Sequence, residues 1–233
     1  MSDLKAGFRA GLPIILGYLP VSITFGMTAA SGGLPPIAAV VMSATNLTSA
    51  GQFAGTELIL NAATLLELIF TMLVINFRYL FMSLSLSQKL APDFTLGKRL
   101  IFSFGITDEV FGVASTREGE LTFPFSLGLI LGPLLSWTGG TALGAYSSGL
   151  LPDNLRSALG ITLYAMFIAI LIPNCRQSRK ILGVTVAAGG LSCAFHYLPI
   201  LSQLSSGWTI VIISVVVSAV TAGLDCRKED KLT

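Results

Sequence analysis

The chain has 233 residues, of which 53% are hydrophobic and only 11% charged, and its mean hydropathy is +0.79. Globular proteins carry about 25% charged residues, so this composition excludes a soluble enzyme, a disordered regulator and a nucleic-acid binder and leaves an all-α polytopic membrane protein. Fourteen basic against twelve acidic residues give a net charge of +2, too balanced for a polyanion-binding surface. Cys175, Cys193 and Cys226 are far apart and form no C-x-x-C pair, so neither a metal site nor a disulfide framework is expected.

Lys5 and Arg9 precede an apolar stretch over residues 12–30. It is longer than a signal-peptide core and contains Pro13 and Pro20, so it is expected to be an uncleaved first transmembrane helix. The turn Ser31-Gly32-Gly33-Leu34-Pro35-Pro36 ends it. The second segment, residues 37–56, is unusual because Asn46, Thr48, Ser49 and Gln52 crowd its middle. Lipid-facing polar groups at membrane depth are costly, so these should face protein or a water-filled cavity. The third segment, residues 62–87, carries Glu67, Asn76 and Arg78. A polar loop over residues 88–99 follows, with Lys89, Asp93, Lys98 and Arg99.

The fourth segment, residues 100–115, is short and interrupted at its centre by Gly105, Thr107, Asp108 and Glu109. After the polar turn Arg117-Glu118-Gly119-Glu120, four better spans are expected at 123–148, 155–172, 181–198 and 208–224, then a charged tail. Short loops rich in Lys and Arg prefer the cytoplasm. That places the N-terminus, the loop with Arg176, Arg179 and Lys180, and the tail inside. The loop over 88–99 also falls inside if segments 37–56 and 100–115 dip into the membrane and return. The expectation is therefore six full transmembrane helices plus two re-entrant or broken segments in one integral-membrane domain, residues 1–233; eight full spans is the alternative. Broken segments with polar groups near the midplane are a recurrent binding device of transporters. Residues 25–35 are similar to residues 143–152; an internal repeat and two like helix ends explain this equally well.

Arg78 is the most informative residue, because a charge at membrane depth needs a partner or an anionic ligand. Three readings stand: an ion pair with Asp108 or Glu109, capture of a substrate carboxylate by its planar fork, or snorkelling toward the loop ten residues on. Asp108 and Glu109 are adjacent, so on a helix they point about 100° apart; one can pair with Arg78 while the other faces a cavity. Asp108, Glu109 and Glu67, the last expected at the middle of an apolar helix, are the candidates for proton coupling or for ion pairs. Asn46, Thr48, Ser49 and Gln52 can hold the ammonium and carboxylate of an amino acid, or hydrogen-bond between helices. The small residues Gly128, Gly132, Ser136, Gly139, Gly140 and Gly144 allow close helix packing. A single histidine, His196, gives no catalytic metal site, and no P-loop is present.

Six short motifs occur in order: Gly11-Leu12-Pro13, Gly17-Tyr18-Leu19-Pro20, Phe25-Gly26, Ser49-Ala50-Gly51-Gln52-Phe53, Asn76-Phe77-Arg78 and Thr107-Asp108-Glu109. In them the chain resembles the AzlC family, the large subunits of branched-chain amino acid exporters, over residues 7–180. The resemblance implies an inner-membrane permease for valine, leucine or isoleucine, no cofactor, and a small hydrophobic membrane partner of the AzlD type. It adds Gly26 to Asn46, Thr48, Ser49, Gln52, Asn76 and Arg78 as the substrate-contacting set. Two departures from the family pattern, the polar run before Gln52 and Tyr79 after Arg78, point to a more polar cargo. The competing class is a membrane-embedded enzyme or scaffold, or a transporter of another small polar solute.

Overall fold

The computed structural model describes residues 3–149, 178–198 and 203–229, with Leu201 and scattered positions between 154 and 176. Most of the span expected at 155–172 lies outside the described residues. All regular structure described is helical: α1 (Asp3–Ser31), α2 (Pro36–Thr45), α3 (Ala50–Leu60), α4 (Leu65–Ser87), α5 (Leu96–Phe104), α6 (Asp108–Thr116), α7 (Phe123–Ser147), α8 (Arg179–Tyr197) and α9 (Ser206–Glu229). Among the described residues four helical stretches are long and apolar enough to cross a membrane: Asp3–Ser31, Leu65–Ser87, Phe123–Ser147 and Ser206–Gly223. The residues form two compact units, one of residues 1–56 and 76–164, the other of 57–75 and 165–233; α3 and α4 contribute to both.

Local chemistry sets the helix ends. Gly33, at φ 108°, closes α1: Leu34 N–H donates to Ala29 O at 3.0 Å and Gly33 N–H to Ala30 O at 3.1 Å. This is a Schellman end with glycine in the left-handed position. Pro36 then opens α2, where a missing N–H costs nothing. The same two bonds close α3, Ala63 N–H to Leu58 O and Ala62 N–H to Ile59 O, with Ala62 at φ 51°. Thr64 follows and accepts from Glu67 N–H at 3.3 Å. Glu67, expected in the middle of an apolar helix, therefore sits in the first turn of α4. Lys98 and Arg99 are likewise not loop residues. Thr95 caps α5 by accepting from Lys98 N–H, so both fall in that helix's opening turns. The last helix continues to Glu229 through the charged residues expected to form a tail.

In the first unit α1 and α7 run parallel with their backbones in contact. A Cβ on Gly7 would overlap the Phe125 carbonyl, one on Gly26 the Thr141 carbonyl, one on Gly128 the Leu4 carbonyl and one on Gly144 the Ile23 carbonyl. Residue numbers rise together along both helices, which fixes the parallel sense. Hydrogen bonds cross the seam: Ser136 Oγ donates to Ile15 O at 2.7 Å, and Ser22 Oγ lies 3.4 Å from Ser136 O. Interhelical bonds of this kind contribute about 0.6 kcal/mol each in membrane proteins.

The break at residues 46–49 turns the chain back on itself. Gln52 returns to Ser43 and Thr56 to Met42, while Phe53 packs edge-on to Phe25. The second break, residues 105–107, ends α5 at Gly105 and starts α6 at the Thr107 cap. Any side chain at residue 105 would strike Ile130 of α7. The segments on either side of this second turn come together at one end of the unit. Leu121 N–H donates to Lys89 O and Ala91 N–H to Leu121 O, at 2.7 and 3.0 Å. The Lys89 ammonium donates to Ser115 O at 2.8 Å and Arg117 O at 2.6 Å, caring for the carbonyls that α6 leaves open. Thr122 Oγ1 donates to Asp3 Oδ2 at 2.7 Å. The start of α1, the end of α4, the end of α6 and the start of α7 therefore share one end.

In the second unit α4 and α9 begin side by side. Ser205 Oγ donates to Glu67 Oε1, Phe70 stacks near Trp208 with ring centroids 5.9 Å apart, and Gly207 leaves room for Glu67 and Thr71. Glu67 is buried there.

The seam sets a stability expectation. Gly144→Val forces a branched side chain into the Ile23 carbonyl, whereas Gly139 faces open space. Overpacking costs about 1–3 kcal/mol. Gly144→Val should lower the melting temperature of the purified protein in detergent, and Gly139→Val should match the parent.

Candidate functional site

Both breaks meet the α1–α7 pair near its middle, and polar groups are concentrated there. One group of them is closed. Trp137 Nε1 donates to Gln52 Oε1 at 2.7 Å, and Gln52 Nε2 donates to Ser43 Oγ at 3.0 Å. Ser43 and Thr141 hydroxyls lie 2.8 Å apart, and Thr141 Oγ1 donates to the carbonyl of Trp137 at 2.9 Å. Since the Thr141 hydrogen is used on that carbonyl, Ser43 is the donor to Thr141. The bonds form a ring that starts and ends on Trp137. Gln52, Ser43 and Thr141 are fully buried, and in this conformation Gln52 is engaged by protein at both ends of its amide.

The other group is open. Arg78, midway along α4, pairs with Asp108 Oδ2 at 2.5 Å. Its guanidinium also lies 5.1 Å from the Tyr79 ring centroid, and Nη2 is 3.4 Å from the Tyr79 hydroxyl. Tyr79 OH in turn is 3.4 Å from Thr48 O in the first break. Of the three sequence readings of Arg78, the ion pair is the one this conformation displays, and the residue that makes it is Asp108. Glu109 instead lies 2.7 Å from the Tyr18 hydroxyl, which is also 2.7 Å from Thr107 Oγ1.

Around the first break, buried polar atoms lack protein partners. They are Thr48 Oγ1, Ser49 Oγ, Asn76 Oδ1 and Arg78 Nε. Asn76 and Thr48 both approach Gly51: a Cβ there would sit 3.1 Å from Asn76 Oδ1 and 2.6 Å from Thr48 Oγ1. Buried polar groups are nearly always paired, so four orphans in one place ask for an explanation. Ser49 has φ 45°, a conformation a serine rarely adopts. Asn46 ends α2 and accepts from Thr48 N–H at 3.0 Å, which shapes the turn. A cleft of about 200 Å³ opens here, lined by Asn46, Leu47, Thr48 and Tyr79 from one side and by Phe104 and Ile106 from the second break.

The sequence-derived set is thus divided. Asn46, Thr48, Ser49, Asn76 and Arg78 gather at the first break, with Asp108 attached through Arg78. Gln52 belongs to the closed ring, and Gly26 to the helix seam. Glu67 is in the second unit, bonded to Ser205. Sequence reasoning missed Tyr18, Ser43 and Trp137, and singled out Tyr79 only as a departure from the family pattern. Tyr18 lay in the Gly17-Tyr18-Leu19-Pro20 motif, and Trp137 followed Ser136 in an otherwise small-residue run; those were the available signals.

The chain matches the family described as AzlC protein over residues 13–151. It is 36% identical to an uncharacterized membrane protein of Archaeoglobus fulgidus, covering 88% of this chain and 96% of that one. It is 28% identical to the inner membrane protein YgaZ of Escherichia coli, covering 80% and 79%. It is 26% identical to the branched-chain amino acid transport protein AzlC of Bacillus subtilis, covering 77% and 72%. No solved structure matches it.

The ion pair makes a specific prediction. Removing one partner of a buried pair costs about 3–5 kcal/mol; here both ends are partly open, so the loss should be smaller. Arg78→Gln and Asp108→Asn should each lower the melting temperature in detergent, and the double variant should regain most of it. Arg78→Gln combined with Glu109→Gln should not.

Proposed function

Starting from the fact that the chain belongs to the AzlC family, we propose that it is the large subunit of a secondary transporter that exports branched-chain or related amino acids across the inner membrane. The observation that carries this reading is the group of orphaned polar atoms on Thr48, Ser49, Asn76 and Arg78 beside a cleft between two helix breaks. Such atoms hold a zwitterion in a chemically direct way. The guanidinium, and the amide groups opening α3, suit a carboxylate; Asp108 and the side-chain oxygens of Asn76, Thr48 and Ser49 suit an ammonium. Leu47, Phe104 and Ile106 offer apolar surface for the cargo's side chain. Nothing in this arrangement supplies a nucleophile with its base, which favours transport over membrane-embedded catalysis.

In the proposed topology α2–α3 and α5–α6 enter the membrane from opposite sides and return, and six other segments cross it. The shared end of α1, α4, α6 and α7 supports this, because it puts the loop with Lys89 on the same side as Lys5 and Arg9. That side is the cytoplasm by the positive-inside rule, and both chain termini lie there. A small hydrophobic AzlD-type subunit completes the transporter, covering part of the lipid-facing surface.

Two measurements test this. Proteoliposomes holding the chain, with and without co-expressed AzlD-type subunit, should exchange radiolabelled leucine, isoleucine or valine. Asn76→Leu should abolish exchange while the protein still elutes as a monodisperse species; retained exchange would remove the orphan cluster from the binding site. A cysteine at Asp93, in a chain lacking Cys175, Cys193 and Cys226, should resist an impermeant maleimide applied to intact cells. Labelling from outside would favour eight full spans.

A further inference from the structure

Glu109 is the acidic residue of the site that the ion pair does not use, and its contacts have a property the others lack. The Tyr18 hydroxyl lies 2.7 Å from Glu109 Oε2 and 2.7 Å from Thr107 Oγ1. Thr107 Oγ1 already accepts from Val110 N–H at 3.3 Å. A phenol has a single hydrogen, so it donates to only one of the two oxygens at a time. With Glu109 ionised, Tyr18 donates to the carboxylate and accepts the Thr107 hydroxyl hydrogen. With Glu109 protonated, the carboxyl donates to Tyr18, whose hydrogen turns to Thr107, which keeps a lone pair for it. Every member is hydrogen-bonded in both states, and no side chain needs to move.

Asp108 has no such freedom. A proton on it would leave Arg78 without its partner, and an uncompensated buried charge is costly. Tyr18 and Thr107 are buried at 3% and 2% exposure, whereas Glu109 is partly open. Glu109 is therefore the accessible end of a blind hydrogen-bond chain. The charged and titratable groups around it are Tyr18 from α1, Asp108 on its own helix, and Tyr79 and Arg78 from α4. From α7 the neighbour of Tyr18 is Trp137, which does not titrate.

We propose that Glu109 is the proton-binding site that couples this transporter to the proton gradient, with Tyr18 and Thr107 as positioning residues. The inference rests on the transport reading above. One proton from the outer aqueous phase converts the carboxylate to a carboxyl, and the same proton leaves to the cytoplasm when the carboxylate is restored. Arg78, Asp108 and Glu109 together carry one net negative charge when Glu109 is ionised and none when it is protonated. The ionised state is thus the better one for the cargo's ammonium, so a proton arriving from outside favours cargo release there, which ties cargo exit to proton entry.

The test uses the full chain with its co-expressed AzlD-type subunit in proteoliposomes and reads two quantities: leucine exchange without any gradient, and leucine accumulation driven by an imposed pH gradient. The parent protein should show both. Glu109→Gln should lose gradient-driven accumulation to the level of empty vesicles while exchange persists and no longer varies with pH. Tyr18→Phe should keep exchange and move the pH profile of driven flux. Driven accumulation surviving in Glu109→Gln would overturn the proposal. So would loss of exchange and accumulation together in a well-folded variant, since Glu109 would then hold cargo. If Glu109→Gln aggregates, an unaltered pH profile in Tyr18→Phe overturns it. Parent protein that exchanges leucine without responding to the gradient sinks this inference alone; parent protein with no exchange of any amino acid sinks the transport reading.

Discussion

Two helices that touch along their backbones cannot slide, tilt or rotate without a carbonyl meeting a Cβ, and the α1–α7 seam imposes that condition on the first unit. Gly128, Gly132, Ser136, Gly140 and Gly144 recur at every fourth position of α7, which lines them along one face. Leu4, Ile15, Ser22 and Ile23 press on that face from α1, while Gly7 and Gly26 make room for the Phe125 and Thr141 carbonyls. Lipid tails are as apolar as leucine, so no hydrophobic drive holds transmembrane helices together; close packing and a few hydrogen bonds must do so. The parallel sense of the seam has a topological consequence. Both helices must start on the same side, and whatever joins them has to come back.

The two broken segments lie on either side of α4 in the chain, and each break is held by side chains that the seam presents. Trp137 and Thr141 of α7 fasten α2 and α3 through Ser43 and Gln52. Tyr18 of α1 fastens the start of α6. In a low-dielectric interior these bonds are stronger than in water, and an unmet partner is correspondingly costly. At the breaks themselves polar side chains meet the open backbone: Asn46 accepts from Thr48 N–H and Thr107 from Val110 N–H.

Much of this was legible in the sequence for physical reasons. Long apolar runs have one explanation, so α4 and α7 were readable with their approximate ends, and α1 and α9 in their apolar parts; the helices themselves run on through charged residues, back to Asp3 and forward to Glu229. The two breaks were readable because Asn46-Leu47-Thr48-Ser49 and Gly105-Ile106-Thr107 are poor helix and poor lipid-facing sequence at once. Glu67 was misplaced because hydropathy does not see that Ala62, a residue with a Cβ, can take the left-handed position that ends α3. The partner of Arg78 could be narrowed to two adjacent carboxylates and no further, since the choice depends on how α6 is rotated about its axis. The ring through Trp137 was invisible: its members come from three helices, and no spacing rule links residues 43, 52, 137 and 141.

The contrast between the ring and the orphans separates two uses of the same residue types. Ser43, Thr141 and Gln52 are hydrogen-bonded to one another and to Trp137, so their free energy does not depend on a ligand. Thr48, Ser49 and Asn76 carry the same kinds of hydroxyl and amide groups, yet these oxygens are left unpaired. An unpaired buried oxygen costs roughly 1–3 kcal/mol, and natural selection removes such costs easily by substituting an apolar residue of similar shape. Their presence beside Arg78 makes sense if an ammonium or hydroxyl donor visits them. The ring then has a further consequence: because it holds the α2–α3 turn without help from cargo, the site keeps its shape when empty, and binding free energy is not consumed in assembling it.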